Sequence, residues 1–156
     1  MNTVEAIDAD ELRDLYRELI LDHARKPRHF GKLESATHAA QGINPLCGDK
    51  LHLYLQLEND VIRDASFEGS GCAISVASAS LLTDTVIGMK TDDAIHWFDQ
   101  VTDRLTNESA NSDFDIGKLQ ALEGVREFPS RVKCATLAWH ALHSAIEQRS
   151  TPASTE

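Results

Sequence analysis

Apolar residues along the chain follow a helical period at first and a strand period afterwards. Over Asp10–Lys26 they recur three and four positions apart, which predicts an amphipathic helix. Pro27 follows this stretch, and because proline restricts the residue before it, the helix is predicted to end there. Further on, every second position is leucine, a pattern typical of a strand with one buried face. These leucines are Leu51, Leu53, Leu55 and Leu57.

Two further strands are predicted beside the leucine strand. A turn at Glu58-Asn59-Asp60 leads into a return strand over Val61–Glu68, with Ala65 and Phe67 on its inner face. Before the leucine strand, the chain is predicted to enter an edge strand near Ala39–Gln41. These segments predict a small antiparallel sheet of about three strands.

Several helices are predicted after the sheet. Cys72–Ile87 consists largely of small residues that allow close packing, and Gly88 is its predicted C-cap. The other three are a helix capped by Thr91-Asp92-Asp93, a short helix over Ile116–Glu123 that ends at Gly124, and a last helix with Ser130 as its N-cap. A small antiparallel sheet packed against several helices defines the α+β class. We expect a single domain over residues 1–149 and a polar, disordered tail over residues 150–156.

Composition and charge narrow the class of function. A chain of 156 residues that is 42% hydrophobic and 26% charged is an ordinary globular domain. Its formal net charge of −10 argues against nucleic-acid and anionic-membrane partners. No apolar run approaches the roughly 20 residues that span a bilayer, and the first ten residues lack the features of a signal peptide. Three cysteines, an odd number, therefore predict a cytoplasmic protein whose thiols serve chemistry or metal binding.

The candidate chemistry begins at the bend Asn44–Asp49. It places the thiol of Cys47 two residues from the carboxylate of Asp49, with a glycine between them. Because glycine lets the backbone turn at little steric cost, this pair can close on one metal ion. Cys72 and Cys134 are each predicted near the start of a helix, where the helix dipole favours the thiolate form.

Spacing alone leaves the role of the cysteines open. They are 25 and 62 positions apart (47 to 72, and 72 to 134), unlike the close Cys-x-x-Cys pairs of zinc ribbons. Buried structural cysteines and a turn or cap role for Asp49 are the alternatives. The seven histidines are scattered, and none pairs with a cysteine at metal-ligand spacing. The residues therefore predict a shared site only if the fold brings the three thiols together.

Three separated segments, 44–49, 69–80 and 128–139, resemble iron–sulfur cluster assembly proteins of the IscU/NifU N-terminal type. The similarity extends from about Leu12 to Ile146. Within that superfamily the chain is similar to the SufU type, because Lys133 occupies the place before the third cysteine where scaffold-type IscU proteins usually have histidine. Residues 89–124 also contain an extra helical stretch that is typical of SufU.

This resemblance implies a zinc site made by Cys47, Asp49, Cys72 and Cys134. It also implies a partner, a SufS-type cysteine desulfurase that carries its own pyridoxal phosphate. The leading hypothesis makes Cys47 the acceptor of persulfide sulfur, because it lies on a Pro/Gly bend where movement costs least. Arg131 and Lys133 are predicted to steer the anionic sulfur or contact the partner, with plain helix-surface charge as the alternative.

Two other functions stay open on the sequence. In the first, Cys47, Cys72 and Cys134 hold a nascent [2Fe–2S] cluster that is passed on to downstream iron–sulfur proteins, since thiolates bind such clusters as readily as zinc. In the second, zinc is structural and the domain only docks on other proteins. The lysine at position 133 removes the usual nitrogen ligand of the scaffold proteins and so disfavours the first.

Overall fold

Three antiparallel strands form the main part of the sheet, in agreement with the predicted α+β class. The computed structural model describes residues 9–107, 114–147 and 153–154, with side chains over 13–107 and 114–147. The strands are β1 (His38–Asn44), β2 (Asp49–Glu58) and β3 (Val61–Ser70), and β2 lies in the middle. Ala153–Ser154 (β4) pairs in parallel with β1 at Gly42 and Ile43. The rest of the predicted disordered tail, residues 150–156, lies outside the described residues.

Two tight turns connect the three main strands. Asn44 and Asp49 are the closing pair of the β1–β2 hairpin, so Pro45–Gly48 form a four-residue turn. Asn59 and Asp60 join β2 to β3 with φ values of 53° and 62°, a left-handed pair that Asn and Asp tolerate better than other non-glycine residues. The edge strand predicted near Ala39–Gln41 is therefore longer than expected and leads directly into the Cys47 turn.

Helices cover one face of the sheet. They are α1 (Ala9–Arg25), α2 (Ala73–Val86), α3 (Thr91–Thr106), a 3₁₀ segment (Gly117–Glu127) and α4 (Pro129–Glu147). Leu51, Leu53 and Leu55 of β2 and the indole of Trp139 in α4 are buried in the core below them, and Leu57 is half-buried at its margin. Small buried side chains of α2 allow it to pack between α1 and α4, as the sequence predicted. None of the helices in the described residues is long and apolar enough to cross a membrane.

Three predicted helix boundaries were wrong. The short helix does not end at Gly124 but continues as a 3₁₀ segment to Glu127. α3 begins at Thr91, and Lys90 occupies the N-cap without a side-chain hydrogen bond. α4 begins at Pro129 rather than after Ser130. Proline is favoured at the first helical position because its φ is already helical and it has no N–H to leave unpaired. Cys134 consequently lies in the second turn of α4.

Candidate metal centre

The exposed end of the site is the β1–β2 turn. The backbone N–H of Cys47 donates to the Asn44 carbonyl at 3.3 Å, and Gly48 takes a φ of 73° that favours glycine. Cys47 is exposed, and Leu46 beside it exposes 65% of its surface. Asp49, at the first position of β2, is fully buried. The turn thus presents one thiol to solvent and directs a carboxylate inward.

Three predicted ligands converge at this point. One ligand atom from each of Cys47, Asp49 and Cys134 lies within 4.8 Å of the others. A tetrahedral zinc with bonds of about 2.3 Å to sulfur separates its ligands by about 3.8 Å, so a small contraction would bring all three into range. Residues 87 positions apart, Cys47 and Cys134, meet here because α4 packs across β1 and β2.

The two oxygens of Asp49 have different surroundings. Oδ1 accepts the backbone N–H of Cys72 at 2.8 Å, which ties the carboxylate to the start of α2. Oδ2 is buried and has no hydrogen-bond partner among the described residues. An unpaired carboxylate oxygen is costly in the interior, and a cation would satisfy it. The donor set of thiols and carboxylate, together with this oxygen, fits zinc.

Gly71 makes room for that carboxylate. A Cβ added at Gly71 would lie 2.5 Å from Asp49 Oδ1 and 3.0 Å from Asp49 Cγ. Any residue other than glycine at position 71 would therefore require Asp49 to move. The sequence analysis assigned no role to Gly71; the glycine directly before a candidate ligand was the available signal.

Cys72 lies beside the three converging residues. It is the N-cap of α2, with a φ of −71° and ψ of 166°, and it is half-buried. Its backbone contacts Asp49, and its thiol interacts with Cys134. The group of mutually close ligand atoms does not include it. Its role as fourth ligand stays a prediction.

The two predicted cationic helpers differ in their placement. Arg131 is exposed, and its guanidinium interacts first with Cys72 and then with Cys134, and these two interactions raise the pKa of Arg131. Lys133 is half-buried, and no hydrogen bond or ion pair links its side chain to the thiols in the described part of the chain. The structure therefore brings Arg131 to the site, while the roles of both residues stay predictions.

Cys134 is fully buried, and its thiol is not the easily ionised group that the sequence predicted. Burial raises the pKa of the Cys134 thiol, and contacts with Asp49, Cys47 and Cys72 raise it further. Burial is thus the main reason, and the corrected start of α4 also places the thiol beyond the first turn, where the stabilising effect of a helix N-terminus falls off. A bound cation would favour the thiolate here, as thiolate ligation requires loss of the proton.

Sequence reasoning missed Asn44 as a site residue. Its side chain is fully buried, and its Nδ2 donates to the Sγ of Cys134 at 3.7 Å. Its Oδ1 has no hydrogen-bond partner in the described residues. The available signal was an asparagine, a residue that strands disfavour, directly before the bend.

The architecture and the site match one family of known proteins. The family model described as NifU-like N terminal domain matches residues 15–152. The chain belongs to this NifU-like family. Its relatives include proteins of the SufU and IscU types, and this chain is an iron–sulfur cluster assembly protein of that SufU/IscU family.

Two similar relatives carry different descriptions. The chain is 39% identical over 135 residues to the zinc-dependent sulfurtransferase SufU of Bacillus subtilis, covering 86% of this chain and 91% of the relative. It is 38% identical over 138 residues to the iron–sulfur cluster assembly scaffold protein IscU of Streptococcus pyogenes serotype M1, covering 88% of this chain and 86% of the relative. Because the two sequence identities are so similar, they do not distinguish the SufU type from the IscU type.

A solved structure of a similar protein has the same fold. It is a putative iron–sulfur cluster assembly scaffold protein for the SUF system from Fervidobacterium islandicum AW-1, with a TM-score of 0.76 and 32% identity. The match covers 83% of this chain and 94% of that chain. The likeness therefore extends over nearly the whole of both proteins.

Proposed function

We propose that this protein is a zinc-dependent sulfur acceptor that takes persulfide sulfur from a SufS-type cysteine desulfurase. The observation that carries the proposal is the contrast within the site. Cys47 is exposed on a turn, whereas Asp49 and Cys134, whose ligand atoms lie within 4.8 Å of it and of each other, are fully buried. One thiol can reach a partner while the buried groups hold their positions.

Cys47, Asp49, Cys134 and the adjacent Cys72 are the residues that would hold zinc. Zinc, when bound, keeps its thiolate ligands deprotonated near neutral pH. The unpaired Oδ2 of Asp49 and the contact of Arg131 with two of the thiols support this assignment. A similar relative is itself described as zinc-dependent.

The transfer step is a thiol–persulfide exchange. The Cys47 thiolate attacks the terminal sulfur of the persulfide on the desulfurase cysteine. A new S–S bond forms on Cys47, the S–S bond of the partner breaks, and the partner cysteine leaves as a thiolate. No external oxidant is needed, because the sulfur of Cys47 is oxidised by the same two electrons that reduce the sulfur of the partner cysteine. The pyridoxal phosphate that generates the persulfide belongs to the partner.

The surface around Cys47 supports docking on a protein. Leu46 and Phe128 expose 65% and 58% of their surfaces, although both are large and apolar. Phe128 directly precedes α4, whose first turn carries Arg131. Exposed apolar side chains beside a cation are typical of protein interaction sites. A desulfurase bound here would meet the exposed thiol and not the buried one.

A scaffold for a [2Fe–2S] cluster is the second candidate, with the cluster as cargo on Cys47, Cys72 and Cys134. The similarity to the Streptococcus IscU favours it. Lys133, in the place of the usual histidine, argues against it. A stoichiometric cluster formed with iron and sulfide without oxygen, and then passed to an apo-protein, would favour the scaffold over sulfur transfer.

Replacing the acceptor tests the proposed function. We expect Cys47→Ala to abolish the stimulation of desulfurase turnover, because the outer sulfur then has no acceptor. The measurement is alanine production by a SufS-type desulfurase with and without this protein. Ser35→Ala, at an exposed residue away from the site, should stimulate as the unaltered protein does. Full stimulation by Cys47→Ala would overturn the assignment of Cys47.

A further inference from the structure

Asn44 is an unexpected residue at the position that closes the β1–β2 hairpin. Asparagine is depleted in strands, and its amide brings two donors and an acceptor into a place from which water is excluded. Asn44 is nevertheless fully buried, opposite Asp49 in the antiparallel register. A local choice that conflicts with strand propensity and burial together is expected where function requires it.

The contacts of Asn44 point to the sulfur of Cys134. Nδ2 donates to Cys134 Sγ at 3.7 Å, within the range of hydrogen bonds to sulfur. Oδ1 has no partner in the described residues, so the amide is oriented with its donor toward the thiol and its acceptor unpaired. A donor is of little use to a neutral thiol, which is a weak acceptor, and of much more use to a thiolate.

We propose that Asn44 is a positioning residue that holds Cys134 as the fixed sulfur ligand, so that ligand exchange falls on Cys47. The N–H donor stabilises the negative charge on Cys134 and fixes the direction of its sulfur. Cys47 has no such side-chain donor in the described hydrogen bonds, and it lies on an exposed turn. This inference rests on the metal site of the proposed function, and not on which thiol accepts sulfur.

The proposed role of Asn44 also explains why β1 ends in an asparagine whereas β2 begins with an aspartate. Asn44 and Asp49 face each other across the hairpin, and each turns a polar group away from solvent. Asp49 contacts the start of α2 through Cys72, whereas Asn44 contacts α4 through Cys134. The closing pair of the hairpin thus anchors both helices that carry the other two cysteines, while the turn between its residues stays exposed.

Two substitutions at Asn44 test the inference on the full chain loaded with Co²⁺ or Zn²⁺. Asn44→Asp keeps the shape and removes the donor, and Asn44→Leu removes the donor without adding charge. We expect the sulfur-to-cobalt charge-transfer band to move to lower energy in both, because the N–H donor withdraws electron density from sulfur. We also expect zinc affinity to fall about 10- to 100-fold, the usual effect of losing a group that supports a metal ligand.

The alkylation rates of the individual cysteines in the zinc-loaded protein distinguish a positioning role of Asn44 from a merely structural one. Both variants should lose the protection of Cys134, while Cys47 reacts at its original rate. Asn59→Asp, an equivalent substitution at the β2–β3 turn, should change none of the three measurements. Unchanged bands and an intact protection of Cys134 in both variants would overturn the inference. An equal loss of protection at Cys47 and Cys134 would also overturn it, since that result indicates general loosening.

The outcomes separate this inference from the proposed function. If Cys47 never carries sulfur but the variants behave as expected, the acceptor assignment fails while the role of Asn44 stands. If the unaltered chain binds neither Co²⁺ nor Zn²⁺, the role of Asn44 as a support for a metal ligand is wrong.

Discussion

At the scale of single residues, the site depends on a buried oxygen without a hydrogen-bond partner in the described residues and on a glycine that leaves space beside it. Asp49 Oδ2 is buried without a hydrogen bond in the described residues, and Gly71 leaves the space that the carboxylate fills. At an ordinary strand end, the unpaired oxygen would destabilise the fold and the space at Gly71 would have no role. Together they keep a carboxylate beside two thiols, in an orientation that a cation can use.

The space at Gly71 gives a direct prediction. An alanine Cβ would lie 2.5 Å from Asp49 Oδ1, so Gly71→Ala must displace the carboxylate. We expect zinc affinity to fall by about tenfold or more, and the unfolding free energy of the metal-free protein to fall by about 1–3 kcal/mol. Competition with a chromophoric chelator and urea unfolding measure the two effects.

Gly124→Ala is the matched control for this substitution. A Cβ at Gly124 meets no atom within 4 Å, and Gly124 lies in the 3₁₀ segment outside the site. Neither glycine has the left-handed φ that would make alanine strained for another reason. If Gly71→Ala binds zinc as tightly as Gly124→Ala, the account of how Asp49 is positioned is wrong.

At the scale of elements, hydrophobic periodicity predicted the class and most of the order of the fold. The leucines of β2, the Asn59–Asp60 turn and the small-residue helix α2 all lie where the pattern indicated. Boundaries were less predictable, because Ser130 and Pro129 are both good helix starters and sequence alone does not rank them. That one choice moved Cys134 out of the first turn of α4, and its complete burial, which the helix pattern did not indicate, raised the pKa of its thiol instead of lowering it.

The site itself was only partly predictable. Cys47 and Asp49 are close in sequence, so their meeting followed from one bend. Their convergence with Cys134 depends on the packing of α4 across the sheet, which spacing does not encode. Asn44 and Gly71 left only weak signals in the sequence, since their effects depend on the folded chain. Asn44 Nδ2 lies 3.7 Å from Cys134 Sγ, and a Cβ added at Gly71 would lie 2.5 Å from Asp49 Oδ1.

The attachment of α1 to α2 gives a prediction at the same scale. His23 of α1 is buried, and its Nδ1 lies 2.7 Å from Ser80 Oγ of α2. Ser80 Oγ also accepts the backbone N–H of Arg28 at 2.8 Å and keeps its hydroxyl proton to donate. A neutral imidazole with its proton on Nε2 accepts that proton at Nδ1. Burial, and next the positive charge of Arg28, lower the pKa of His23 from 6.5.

A lowered pKa for a base fixes the sign of the pH effect. The contribution of neutral His23 to stability is fully present above pH 6.5 and is lost as the pH falls through the lower folded-state pKa. The reason is that His23 binds a proton more readily in the unfolded chain than in the folded one. His140, whose pKa burial also lowers, acts in the same direction. We expect the metal-free protein to be less stable at pH 5.5 than at pH 7.5 (pH values that lie about one unit on either side of the ordinary histidine pKa).

Urea unfolding of His23→Gln at both pH values checks this prediction. The variant should lose about 1 kcal/mol at the higher pH through the missing hydrogen bond, and it should lose less than the unaltered protein on acidification. His52→Gln, at an exposed residue of β2, should keep the original pH dependence. An unchanged pH dependence in His23→Gln would show that the attachment of α1 does not rest on a neutral His23.

At the scale of the whole molecule, the site opens onto a surface suited to a protein partner. The chain carries a formal net charge of −10, yet an arginine lies beside the thiols, and Leu46 and Phe128 are exposed. Membership of the NifU-like family makes this an iron–sulfur cluster assembly protein. Within that family, the exposed thiol of Cys47 beside the buried Asp49 and Cys134 favours sulfur transfer as the proposed role.

Peptide mass spectrometry of the sulfur-loaded protein shows directly which cysteine accepts sulfur. The zinc-loaded protein is incubated with a SufS-type desulfurase and cysteine, and free thiols are then alkylated rapidly. The account predicts an added sulfur, an increase of about 32 Da, on Cys47 and not on Cys72 or Cys134. An unmodified Cys47 under turnover, or the same mass increase confined to Cys72 or Cys134, would contradict it.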